Sequence, residues 1–192
     1  MDATERREQI LAAAMKLFEQ GSYAGVSTAD IATAAGVARP LIHHYFGTKR
    51  ELYLEVVRRL SYIPAVAVMK GLSKGTLEER ADSCITRYLT VGWRHRNMWT
   101  SIMTLDTPDA EVAEILRQAD GIAADRTIEA LGLTPENGKL HAMIVAYGGL
   151  AKAASRQWLA EQTLTRDEVH TLLKSTLLTI VRDVAGARTA HR

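Results

Sequence analysis

The sequence predicts an all-α fold of about nine helices: a three-helix unit at the N-terminus, then a larger helical domain. Apolar residues recur at three- and four-residue spacing along most of the 192-residue chain, and no segment alternates as a strand would. Helix-start signals of the S/T-x-x-E/D type, or a Thr-Pro pair, divide the chain at intervals that suit helices. Around Gly36, two short apolar-periodic stretches are joined by only a few residues, the pattern of a helix-turn-helix.

The first predicted helix, residues 4–20, carries Ile10, Ala14, Leu17 and Phe18 on one face and ends at Gly21. Residues 27–51, STADIATAAGVARPLIHHYFGTKRE, then read as helix, turn and helix, followed by the start of a third. Ser27 with Asp30 caps the first of these helices. Ile31, Ala35, Val37, Ile42 and Tyr45 stand where two crossed helices bury side chains, and Ala32 is small where they approach most closely. Gly36 supplies the positive φ that lets the chain swing sharply into the next helix. Pro40 suits the first turn of that helix, and Ala38 before it has no side chain with which to cap. Thr48 with Glu51 opens a fourth helix through Leu52, Val56 and Leu60, which Pro64 is expected to end or kink.

Residues 70–75, KGLSKG, suit a linker, and Thr76 with Glu79 opens a helix to about His95. Thr107-Pro108 and Thr134-Pro135 mark further starts, and Leu131 to Leu133 (LGL) separates neighbouring helices. The last two helices, residues 136–161 and 166–184, carry long apolar stripes, and Thr165 with Glu168 caps the final one. Neither an internal repeat nor a low-complexity tract is visible.

A chain that is 47% hydrophobic can bury a substantial core. Its longest apolar runs, such as residues 144–151, fall far short of the roughly 20 residues a membrane span needs, and the start MDATERREQ is charged, so a cytoplasmic protein with no membrane association is expected. Cys84, the single cysteine, excludes an internal disulfide framework and suits a small buried helix residue better than a redox sensor. The charge is local. Residues 1–59 hold eight Lys and Arg against seven Asp and Glu, whereas residues 37–59 hold five cations (Arg39, Lys49, Arg50, Arg58 and Arg59) against Glu51 and Glu55. Such placement favours phosphate binding on one side of the unit.

Taken together, ILAAAMKLF at residues 10–18, Gly21, Ser27-Thr28, Ile31-Ala32, Ala35-Gly36-Val37, His44-Tyr45-Phe46, Lys49 and Glu51-Leu52 resemble the DNA-binding domain of the TetR family of bacterial transcriptional regulators. Matching several offsets at once is far more specific than a lone A-x-x-x-G-V. One departure stands out: many members have a Ser-x-Gly or Ser-x-Ala run after the Gly-Val, where this chain has Ala38-Arg39-Pro40. The resemblance implies a DNA-binding domain over residues 1–50 and an effector-binding and dimerisation domain over 51–192, with the helix of residues 48–63 linking them.

Side chains near the start of a recognition helix read base edges, and flanking donors hold phosphates. Arg39 can give two hydrogen bonds to guanine O6 and N7; His43 lies one turn on, and Pro40 can offer apolar contact to a thymine methyl. Thr28, His44, Tyr45 and Lys49 match the phosphate-contacting positions of the family. Singly, Tyr45 reads as half core, Lys49 as a solvated charge and the histidines as incidental; their shared spacing favours DNA.

One recognition helix covers half a site, so a homodimer on double-stranded DNA is expected. The resemblance assigns the interface to the last two helices, with Gly148, Ala151, Trp158, Leu173, Leu177 and Ile180 as candidates, in preference to the alternative of an Ala-rich helix buried within one subunit. Family members commonly enclose a small-molecule pocket among the central helices. Cys84, Tyr88, Trp93, Trp99, Ile102, Met103, Ile115 and Tyr147 are candidates to line one for a small apolar or aromatic effector, although such a stripe also suits plain core.

The expected function is a sequence-specific repressor released from a palindromic operator by an effector. A regulator controlled by a protein partner, or by no ligand, is the alternative; an enzyme with an appended helix-turn-helix is more distant. Neither a Ser-His-Asp or Cys-His pairing, nor metal-ligand spacing, nor a Gly-rich phosphate loop appears, so no catalytic residue, metal or cofactor is expected.

Overall fold

A computed structural model describes residues 2–68, 75–103, 110–133 and 138–186. These form nine helices and no strand: α1 (Ala3–Gln20), α2 (Thr28–Ala35), α3 (Arg39–Phe46), α4 (Lys49–Val68), α5 (Leu77–Arg94), α6 (Arg96–Met103), α7 (Ala110–Ala130), α8 (Gly138–Leu159) and α9 (Arg166–Gly186). The expected starts at Thr107-Pro108 and Thr134-Pro135, and all of the expected linker but Gly75, lie outside the described residues. Two compact units result. One holds α1 to α3, α4 as far as Leu60 and the opening of α7 as far as Ile115; the other holds the rest of α4, α5, α6, the remainder of α7, α8 and α9.

In the first unit, Ile10, Leu11, Ala14 and Phe18 of α1 are buried, as are Ile31, Ala32 and Ala35 of α2 and Ile42 and Phe46 of α3. Val37 and Tyr45, expected in this core, are only half-buried. Gly36 ends α2 in the left-handed conformation, φ 62° and ψ 37°. Its N–H donates to the Thr33 carbonyl at 3.1 Å and the Val37 N–H reaches back to Ala32 at 3.0 Å, the paired closure that satisfies the last carbonyls of a helix. The last of them, that of Ala35, accepts from Gln9 Nε2 of α1 at 2.7 Å. Ser27 and Asp30 form the expected capping box on α2, and Ala38 caps α3 without a side-chain bond. Asp2 and Glu5 form a further box on α1. On α4 the Thr48 N–H donates to Glu51 at 2.7 Å while the Glu51 N–H donates to Thr48 Oγ1 at 3.1 Å.

Pro64 does not end α4, which continues to Val68. A proline forfeits a single i to i−4 hydrogen bond, and the turns on either side of it keep theirs.

In the second unit, α5, α7, α8 and α9 share one core that includes Ile85, Leu89, Ile128, Leu140, Ile144, Ala154, Val169 and Val181. Ala151, Leu173 and Leu177 belong to it as well, with Leu173 and Leu177 each 1% exposed. Three of the six residues expected at a subunit interface are thus covered by the chain's own helices, whereas Gly148, Trp158 and Ile180 are only partly covered. The apolar face of an amphipathic helix marks its deepest contact, and here that contact is the core. Thr76–Glu79 and Thr165–Glu168 cap α5 and α9 as expected. Lys174 pairs with Asp82 at 2.5 Å and Arg182 with Glu78 at 2.7 Å, fastening α9 to α5 along their polar edges.

Candidate nucleic-acid interface

The register of α3 sets what it can present. Ile42 and Phe46 point inward, one turn apart, so the opposite side falls to Arg39, Pro40, His43, His44 and Gly47, all exposed. The three residues expected to read bases therefore share one exposed helix face with His44. Tyr45 is half-buried beside that face, its ring edge-on to His44 at 5.0 Å.

Arg39 Nε donates to Thr28 Oγ1 at 3.1 Å, so the first residue of α3 is tied to the first residue of α2. Thr28 is only 8% exposed. His43 Nδ1 lies 2.8 Å from the Gly47 carbonyl. A carbonyl only accepts, so Nδ1 carries the proton and the neutral ring keeps Nε2 as its acceptor.

Lys49, the first residue of α4, holds its ammonium 4.4 Å from the centroid of the Tyr23 ring. Tyr23 in turn lies 4.8 Å from Tyr53 and 6.3 Å from Phe18, so an aromatic cluster supports the lysine from behind. The hydrogen bonds from Ser27, with help from the charge of Lys49, hold the Asp30 carboxyl below its ordinary range.

Three of the five cations counted between residues 37 and 59 have carboxylate partners. Arg50 pairs with Glu111 at 3.1 Å, Arg59 with Glu8 at 2.9 Å and Arg58 with Glu55 at 3.6 Å. The local positive balance read from the sequence is therefore largely spent within the fold. The guanidinium of Arg39 and the ammonium of Lys49 rest instead on a hydroxyl and an aromatic ring.

Sequence reasoning missed Gln9, Tyr23 and Gly47 as supports of this face. Tyr23, an aromatic residue isolated in the turn between Gly21 and Gly25, is the one with a legible signal. Gly47 has φ 72°, and a Cβ there would run into the Glu51 carboxylate.

Of the pocket candidates, Cys84, Tyr88, Trp99 and Tyr147 come together in the second unit. Tyr88 packs on Trp99 at 4.9 Å between ring centroids and shares a 3.2 Å hydrogen bond with Ser155, while Tyr147 donates to the Leu173 carbonyl at 3.1 Å. Burial pushes the Tyr88 hydroxyl up to about 12 and the Cys84 thiol up to about 11, and it raises Tyr147 further. Cys84 is thus a buried thiol, not an activated thiolate. Trp93 departs from the group: it is 54% exposed and stacks on Trp158 at 5.8 Å. Ile115 is buried in the first unit, and the side chains of Ile102 and Met103 lie outside the described residues. Among the described residues no group of three His, Cys, Asp or Glu is placed to hold a metal ion.

Comparison with known proteins agrees on the identity of the first unit. Residues 10–56 match the family described as bacterial regulatory proteins, tetR family. The chain is 42% identical over 55 residues to the HTH-type transcriptional regulator BetI of Agrobacterium fabrum, covering 29% of this chain and 27% of BetI. It is also 42% identical over 55 residues to the HTH-type transcriptional activator FasR of Mycolicibacterium smegmatis, covering 29% of this chain and 25% of FasR. The match thus spans about a quarter of each curated relative. Over nearly the whole chain the fold matches a solved tetR-family transcriptional regulator from Streptomyces coelicolor, with a TM-score of 0.80, 25% identity and coverage of 97% of this chain and 85% of that one. Residues 10–56 therefore match the helix-turn-helix domain of the tetR family, on a chain folded throughout like a solved regulator of that family.

Proposed function

We propose that this protein is a sequence-specific transcriptional regulator that binds a palindromic operator as a homodimer and, as a repressor, is released by a small apolar or aromatic effector. The observation that carries the DNA-binding part is the exposed face of α3, where Arg39, Pro40, His43 and His44 stand together opposite the buried Ile42 and Phe46. Arg39 and His43 read base edges, with Pro40 in apolar contact beside them. When neutral, the His43 ring presents Nε2 as an acceptor suited to an exocyclic amine of adenine or cytosine. Thr28, His44, Tyr45 and Lys49 hold phosphates. Lys49 does so at a helix N-terminus, where the helix dipole already favours an anion.

Residues 1–50 make up the DNA-reading domain and 51–192 the effector and dimer domain. The grouping of the buried Cys84 and Trp99 with the half-buried Tyr88 and Tyr147 supports an effector of apolar or aromatic character, with the Tyr88 and Ser155 hydroxyls as its polar handle. An effector releases DNA only to the extent that it binds the two states of the protein differently.

Dimerisation runs through the outward faces of α8 and α9. Ala142, Ala146, Gly149 and Ala153 of α8 and Leu172, Ser175 and Thr179 of α9 are exposed at helical spacing. Gly148 and Trp158 of α8 and Ile180 of α9, only partly covered, border these faces, whereas Ala151, Leu173 and Leu177 lie beneath them. The protein acts in the cytoplasm; among the described residues no helix is long and apolar enough to cross a membrane.

Selection of DNA from a random library by the full-length protein tests the reading. A palindrome with half-sites about one helical turn apart is the expected result, and a metabolite screen on that complex then looks for release. Enrichment of no sequence overturns DNA reading by α3, and activation of a reporter behind the selected site overturns repression.

A further inference from the structure

Thr28 and Arg39 lie eleven residues apart on different helices, yet they are joined at the side of α3 that carries the base-reading candidates. An arginine reads guanine in one of two ways: along the edge formed by Nε and one Nη, or end-on through both Nη groups. The guanidinium has one hydrogen on Nε and two on each Nη. Because the Nε hydrogen is given to Thr28 Oγ1 at 3.1 Å, the first approach is closed and the end-on pair remains free. The brace also removes motion. The long arginine stem has many rotamers to lose on binding, whereas Thr28 is β-branched, 8% exposed and fixed at the first position of α2.

We propose that Thr28 is a specificity-determining residue that positions Arg39, so that the two Nη groups select guanine end-on at one position of the half-site. This rests on the DNA-binding reading above and deepens it by naming the base and the residue that fixes how it is read. The hydroxyl accepts from Arg39 and keeps its own hydrogen to donate, so the same group can also hold a phosphate. A lost phosphate contact weakens every sequence alike and cancels when two sequences are compared; a lost brace does not cancel.

The test uses the full-length protein and the DNA it selects. The readout is the ratio of dissociation constants for the selected site and for the same site with the guanine replaced by adenine. A bidentate arginine–guanine pair gives a wild-type ratio of about ten or more, and Arg39→Ala brings it to about one. Thr28→Val, of nearly the same shape without the hydroxyl, lowers the ratio several-fold, and Thr28→Ser, which keeps the hydroxyl, restores it. Thr28→Ala repeats the loss in a better helix former, should valine disturb α2; circular dichroism and thermal midpoints establish that each variant folds. A wild-type ratio in both Thr28→Val and Thr28→Ala, or a loss in Thr28→Ser equal to theirs, overturns the proposal while leaving the regulator reading intact. If Arg39→Ala keeps the ratio, Arg39 is not the reader and the proposal falls. If the wild type selects no sequence at all, it is the DNA-binding reading that fails.

Discussion

The proposed phosphate contact of Lys49 starts from a side chain that is already placed. Its ammonium sits 4.4 Å from the Tyr23 ring at the start of α4, so its stem is already held in one place. Each phosphate neutralised releases counterions, which gives a salt slope of about −0.9 per contact on duplex DNA. Lys49→Ala should therefore weaken specific and random DNA by similar factors and make the salt dependence shallower by about 0.9, measured by binding titrations at several salt concentrations. An unchanged slope would remove Lys49 from the phosphate contacts. The two corner glycines provide a stability test at the same scale. Gly36, at φ 62°, has open space where a Cβ would stand, so Gly36→Ala should cost only the left-handed strain, about 1–2 kcal/mol. Gly47, at φ 72°, adds to that strain a collision with the Glu51 carboxylate that caps α4, so Gly47→Ala should lower the urea midpoint more than Gly36→Ala. What could be read from the sequence at this scale was the face of α3, since a period of 3.6 residues fixes which side chains share it. Two pairings could not be read, Arg39 with Thr28 and Gln9 with the Ala35 carbonyl, because they span 11 and 26 positions and exist only once the helices have crossed.

At the scale of the element, helix starts were the most legible feature, since a capping box is complete within four residues. Those predicted at Ser27, Thr48, Thr76 and Thr165 are all formed; the box at Asp2 was missed although its Glu5 partner stands at the regular spacing. These boxes carry a pH dependence. Hydrogen bonds from Ser27, Thr48 and Thr165 hold the carboxyls of Asp30, Glu51 and Glu168 below their ordinary values. A carboxyl depressed in the folded state contributes stability that is fully present above its unfolded value and is lost as the pH falls through the folded one. The thermal midpoint should thus fall as the pH drops below the ordinary glutamate value of 4.5, and Glu51→Gln should fall less steeply over that window. A slope identical to wild type would separate Glu51 from the acid response. Of the two outcomes expected at Pro64, an end or a kink, the end does not occur, since one missing N–H weakens a helix without terminating it. Gly92 reverses the usual preference for alanine within a helix. A Cβ at that position of α5 would lie 2.7 Å from the Trp99 ring, so Gly92→Ala should destabilise by about 1–3 kcal/mol and shift tryptophan emission, where an open site would gain about 1 kcal/mol.

At the scale of the whole molecule, the proposed dimer asks the last two helices to serve two faces at once, and apolar content alone does not separate them. Ala151, Leu173 and Leu177 belong to the apolar stripes of α8 and α9 that the core takes. What remains outward on α8 is Ala142, Ala146, Gly149 and Ala153, small residues over which a second helix can approach closely. An added Cβ at Gly149 would find nothing within 4 Å, so the space above the helix is open in the single chain. A two-fold interface presents every substitution twice, and like charges set against each other across it cost several kcal/mol. Ala146→Glu should therefore give a folded monomer by sedimentation equilibrium, with helical content and thermal midpoint close to those of wild-type monomer, and should lose the palindrome while keeping weak non-specific DNA binding. Leu177→Ala should do the reverse, lowering stability by about 2–5 kcal/mol, with dimerisation failing only as far as the fold does. If Ala146→Glu stays dimeric, the two subunits meet on another surface and the outward face of α8 is simply solvated. If Leu177→Ala dissociates at full stability, the stripe read from the sequence belongs to the interface after all, through a rearranged α8 and α9.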